Sequence, residues 1–98
     1  NEDVYTDTWA VVIDSEQKDA VEAWRTGDVA RAQTIARGNV RRLRRVQAAA
    51  PSAAPRLEAA VAEFEADDRN FGSVSAGSNE GRAYGLRSNA GRRSRAAY

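Results

Sequence analysis

Val4-Tyr5-Thr6-Asp7-Thr8-Trp9-Ala10-Val11-Val12-Ile13 is the stretch on which the fold turns. β-Branched and aromatic residues fill it, and these are the side chains that strands favour. Read as a strand, it would leave the first helix to begin only at Asp14, where Gln17 three residues later completes a capping-box pattern. Read as a helix, Val4, Thr8 and Val12 stand one turn apart. Trp9, Ile13, Ala20 and Trp24 then carry helical spacing through to Arg25. The residue pattern alone leaves both readings open.

Downstream the signals are firmer. Trp24-Arg25-Thr26-Gly27-Asp28 ends one helix and starts another. Gly27 suits the left-handed residue just past a helix end, and Asp28 suits the N-cap of the next helix. Val29, Ala32, Ala36, Leu43, Val46 and Ala50 then recur at three- and four-residue steps, with Ile35 and Val40 widening the stripe. Arg31, Arg37, Arg41, Arg42, Arg44 and Arg45 fall mostly off it, so the spacing predicts an amphipathic helix over 29–50 with its Arg face outward. Gly38 inside this helix points to a bend or a close helix contact. Pro51-Ser52-Ala53-Ala54-Pro55 ends it and opens a third, shorter helix over about 55–68, with Leu57, Ala60, Val61 and Phe64 as its stripe.

From Arg69 onward the composition changes. Five of the seven Gly and five Ser fall here, and large apolar residues are sparse. Residues 69–98 therefore read as a Gly/Ser/Arg-rich basic tail, loop-like or docked on another surface. If it is ordered, Phe71, Tyr84 and Leu86 are the expected anchors, with Arg82, Arg87, Arg92, Arg93 and Arg95 facing acids.

Ninety-eight residues with only 21 large apolar side chains and 20 Ala allow one domain, closely packed through Ala or completed by something else. The chain has no Cys and no His, which removes disulfides, thiolate chemistry and the commonest metal ligand and general base. No apolar run approaches the ~20 residues that a membrane span requires. The compartment stays open, with the cytoplasm favoured. The chain has no Met and opens within patterned sequence at Asn1, so it reads as a piece of a larger protein.

A net charge of +1 conceals blocks of alternating sign. Residues 1–28 carry eight acids and two bases, and residues 29–50 carry six Arg and no acid. Residues 51–70 carry five acids and two Arg, and residues 71–98 five Arg and one Glu. Blocks of opposite sign suit neighbouring segments that pair with one another. The cluster Arg41-Arg42-x-Arg44-Arg45 could grip phosphates, but the balance of acids favours a solvated helix face lying against the acidic first and third helices. Glu63, Glu65, Asp67 and Asp68 lack the Gly-punctuated loop of a Ca²⁺ site. Asp14-Ser15 has no partner base. Trp9 and Trp24 are read as core anchors. The residues thus point to no catalytic, cofactor-binding or metal site.

The opening Asn1-Glu2-Asp3-Val4, the Ala20-x-x-Ala23 pair, the Gly27-Asp28-Val29-Ala30-Arg31-Ala32 junction and the Arg- and Tyr-bearing tail form an arrangement. It resembles the helical C-terminal region that follows the von Willebrand factor type A (VWA) domain in many bacterial proteins. That resemblance implies a helix over about 3–26 in place of the strand. It also implies an accessory scaffolding or interaction role with protein as the partner, either upstream domains of the same protein or another chain. The family's metal-dependent site begins with Asp-x-Ser-x-Ser, which neither Asp14-Ser15-Glu16 nor Ser73-Val74-Ser75 provides. No metal ligand or cofactor therefore carries over.

The expected fold is all-α: a helical hairpin plus a shorter third helix over residues 1–68, followed by the tail. The expected function is a non-catalytic interaction or scaffolding module. The alternatives are a small nucleic-acid-binding element using the Arg helix and tail, and a tetratricopeptide-like peptide binder.

Overall fold

In the computed structural model, which describes residues 2–78 and 81–84, the ambiguous opening stretch is helical. Helix α1 spans Glu2–Arg25, α2 Val29–Ala49 and α3 Ala54–Ser73, with a 3₁₀ turn at Pro51–Ala53 between the last two. Among the described residues there is no strand. The physical reason is pairing. A lone strand leaves its backbone N–H and C=O groups without a ladder, whereas a helix satisfies them internally. The segments over 29–50 and 55–68 have helical spacing and offer no strand to pair with. The chain is therefore all-α, a hairpin of α1 and α2 followed by a third helix.

The α1–α2 turn follows from its sequence. Gly27 has φ +94°, a backbone state in which other residues are strained. The Gly27 N–H donates to Trp24 C=O at 3.0 Å and the Asp28 N–H to Ala23 C=O at 2.8 Å, the paired bonds of a Schellman motif. The Asp28 side chain then accepts from the Arg31 N–H at 3.2 Å and caps α2. Together with the Thr26 N–H donating to Glu22 C=O at 3.1 Å, these bonds satisfy three of the last four carbonyls of α1.

The core lies in two apolar clusters. One joins Ala20, Val21, Trp24, Ala32, Ala36, Phe71 and Tyr84. The other joins Ile13, Leu43, Val46, Leu57, Ala60, Val61 and Phe64. Leu43 and Val46 are buried and Arg41 and Arg45 exposed, as the α2 stripe predicts. Of the two features expected at Gly38, the close helix contact is absent. A Cβ there would meet only the far end of Arg41 at 3.9 Å, so no helix approaches closely.

Helix α3 runs on to Ser73, past the expected end near 68. Phe71 continues the stripe of Leu57, Val61, Phe64 and Asp67, and its burial carries the helix another turn. The chain leaves it at Val74, which is extended. Phe71 and Tyr84 are both buried, on the bundle itself. Trp24 and Tyr84 meet edge to face with centroids 5.5 Å apart, and Phe71 lies 5.8 Å from Trp24. The Trp24 indole N–H donates to Val74 C=O at 2.9 Å. Leu86, Arg87, Arg92, Arg93 and Arg95 lie outside the described residues. No helix of the described residues is long and apolar enough to cross a membrane.

Candidate interaction surface

The buried stripe of α1 is Thr6, Ala10, Ile13, Gln17, Ala20 and Trp24; it takes in Ile13, Ala20 and Trp24 of the expected row but not Trp9, and none of Val4, Thr8 and Val12. Trp9, expected in the core, is 37% exposed, whereas Trp24 is 1% exposed. The difference arises because residues 4–13 are apolar on nearly every face, so helical spacing supports two stripes a fraction of a turn apart. Only the one continued by Gln17, Ala20 and Trp24 faces α2 and α3.

The remaining apolar residues stay on the surface. Val4, Tyr5, Trp9, Val11 and Val12 are all exposed on α1, and of these Val4 (63%) and Val11 (54%) are the most open. A helix that is apolar all round is ordinarily a buried helix. Tyr5, Trp9 and Val12 stand in one row and form a wall of a groove of about 460 Å³, closed on the α2 side by Arg42, Arg45 and Val46. Glu16 lies at one end of this groove and pairs with Arg42, locking the two helices together there. The hydrogen bond from Arg42 to Glu16 raises the guanidinium pKa further, so this rim is permanently charged.

Two further Arg residues of α2 meet acids of the third helix. Arg37 pairs with Asp68 of α3 at 3.0 Å, and Arg44 with Glu58 at 2.9 Å. The Gln47 amide and then the Arg44 guanidinium hold the Glu58 carboxyl below its ordinary pKa. Arg56 of α3 reaches Asp7 of α1 at 3.0 Å. Exposed pairs of this kind contribute about 0–1 kcal/mol each; they set which helices are neighbours. Arg41 and Arg45 have no ion pair among the described residues.

The acidic cluster on α3 is divided between surface and interior. Asp68 receives Arg37, while Asp67 is buried and accepts from the Gln17 amide at 2.9 Å and from the Tyr84 hydroxyl. Gln17 in turn accepts from Asn39 of α2 at 2.9 Å. Asn39, Gln17, Asp67 and Tyr84 thus form one buried polar chain linking all three helices to the segment beyond them. The sequence held a signal for it. Each of the three helical residues occupies an apolar-stripe position (13–17–20, 36–39–43 and 64–67–71), where a polar residue must find a partner or stay unsatisfied. Asp14 is buried and Ser15 exposed on α1.

Set against known protein families, characterised proteins and solved structures, the chain matches none.

Proposed function

We propose that this chain is a non-catalytic interaction module, the helical C-terminal part of a VWA-domain protein, and that it works by docking the outer face of α1 against protein. One observation carries the docking reading: Val4, Tyr5, Trp9, Val11 and Val12 are exposed together on one half of one helix. These are poor choices for exposed helical positions. Each disfavours a helix by about 0.5 kcal/mol relative to Ala, and the chain uses 20 Ala elsewhere. Contiguous apolar surface of this kind marks an interaction site. The VWA assignment is supported by the Gly27-Asp28 junction between two helices, the third helix after it and the Arg- and Tyr-bearing tail. A nucleic-acid-binding role is weaker, because Arg37, Arg42 and Arg44 already face carboxylates.

The test separates surface from core. A variant with Val4→Ala and Val11→Ala, the two most open positions of the strip, should keep or slightly gain stability in urea, since helix propensity rises and little packed surface is lost. It should also bind less of an apolar dye than the unaltered chain. A loss above about 2 kcal/mol, the size of a core truncation, would show that these residues hold the fold together and would end the docking reading.

A further inference from the structure

We infer that the groove between α1 and α2 takes an amphipathic helix of a protein partner whose apolar stripe is edged with carboxylates. This rests on the docking reading above and names the occupant. The groove runs between two packed helices, one wall carrying Tyr5, Trp9 and Val12 and the other Arg42, Arg45 and Val46. A further helix fits such a furrow by laying its side-chain ridge into it.

Charge decides what edges that helix. Arg45 is exposed on the α2 rim without an ion pair among the described residues. Between residues 4 and 15 α1 has only two acids, Asp7 and Asp14. Asp7 is turned to Arg56 of α3, and Asp14 is buried. Glu16, which lines the groove, is paired with Arg42, so no free carboxylate of the strip competes for Arg45. An acid on the partner gains an ion pair there, and a base is repelled. A second copy fits poorly, because its own strip lacks the acid edge that Arg45 calls for. A single-stranded nucleic acid could stack on Tyr5 and Trp9, but its phosphates would meet Glu16 and find Arg42 already paired with that carboxylate.

The experiment uses the full chain and three fluorescently labelled probes. Two are amphipathic peptides of ~18 residues, about five helical turns, identical except that Glu edges the Leu stripe in one and Lys in the other; the third is an oligouridylate. Binding is read by anisotropy, and self-association by sedimentation. We expect the Glu-edged peptide to bind about tenfold more tightly than the Lys-edged one. Arg45→Glu should reverse that order, and Trp9→Ala should weaken the Glu-edged peptide by about tenfold or more. Equal affinity for both peptides, both lost in Trp9→Ala, would keep the docking reading and overturn the acidic partner. Binding of neither peptide, or tighter binding of the oligouridylate, overturns the inference, as does self-association abolished by Trp9→Ala. If Trp9→Ala changes none of these readouts, the docking reading fails with it.

Discussion

Asp67 on α3 accepts the Gln17 side-chain amide from α1 at 2.9 Å, at the level where the two apolar clusters of the bundle adjoin. Both residues are buried. The carboxylate also takes the Tyr84 hydroxyl, so one side chain satisfies donors from two separate parts of the chain. Removing it strands both donors away from water. Asp67→Ala is expected to lower unfolding free energy by about 2–4 kcal/mol, the cost of leaving buried polar groups unpaired together with the lost bonds. Urea denaturation followed by helix signal measures this directly. An unchanged midpoint would mean that water reaches the site and the polar chain is not sealed.

Helix α2 offers two substitutions with opposite signs. Leu43 is buried against α1 and α3, and Leu43→Ala should cost about 2–5 kcal/mol through lost burial and a residual cavity. Gly38 lies in the same helix, and a Cβ there would make only an ordinary contact with the far end of Arg41 at 3.9 Å. Gly38→Ala should therefore stabilise by about 0.5–1 kcal/mol, since Gly is the poorer helix former and nothing obstructs a methyl. Thermal melts of the two variants should shift in opposite directions. A downward shift for Gly38→Ala would reveal a contact that the fold does not show.

The α2 stripe and the Gly27-Asp28 turn were legible because each rests on local rules. Gly suits the positive φ after a helix, an Asp side chain suits an N-cap, and three-four spacing sets a buried face. What stayed hidden depends on neighbours. Trp9 and Trp24 look alike in sequence, and only the packing of α2 and α3 decides that Trp24 enters the core. Gln17, Asn39 and Asp67 read as interruptions of three stripes until the helices meet at one level. The extension of α3 beyond residue 68 was masked by the Gly- and Ser-rich composition that follows it, although Phe71 kept the spacing. The exposed strip on α1 was masked for the opposite reason, since an apolar helix face is read as core until nothing is found to cover it.

Acid should weaken the α2–α3 contact in a defined direction. Gln47 and Arg44 hold the Glu58 carboxyl below its ordinary value in the folded chain. A carboxylate depressed on folding adds stability that is fully present above its unfolded pKa, about 4.3. That contribution fades as pH falls through the lower folded value. The stability difference between the unaltered chain and Glu58→Gln should therefore be constant from neutral pH down to about 5, then shrink in stronger acid. The site is exposed, so the effect is small. Urea midpoints collected across that range test the sign; a difference that widens in acid would contradict the assignment.

Tyr84 makes two separable contributions, an aromatic face and a hydroxyl. Its ring packs edge to face on Trp24 and on Phe71, with centroids 5.5 Å and 6.3 Å away, while its hydroxyl donates to the buried Asp67. Tyr84→Phe keeps the ring and removes one donor, and should cost about 1–2 kcal/mol, as expected for the loss of one buried hydrogen bond. Tyr84→Ala removes both and opens the aromatic cluster, at about 3–5 kcal/mol. The neighbouring Trp24 provides a local readout. In Tyr84→Ala its emission should shift to longer wavelength as water reaches the indole, whereas Tyr84→Phe should leave it nearly unchanged. Gly81 offers an independent route to the same state: a Cβ there would lie 1.9 Å from the Ser75 carbonyl oxygen, so Gly81→Ala cannot be accommodated without moving the segment. It should displace Tyr84 and reproduce the emission shift of Tyr84→Ala. If Gly81→Ala leaves Trp24 emission and stability untouched, Tyr84 is not held on the bundle through residues 75–84.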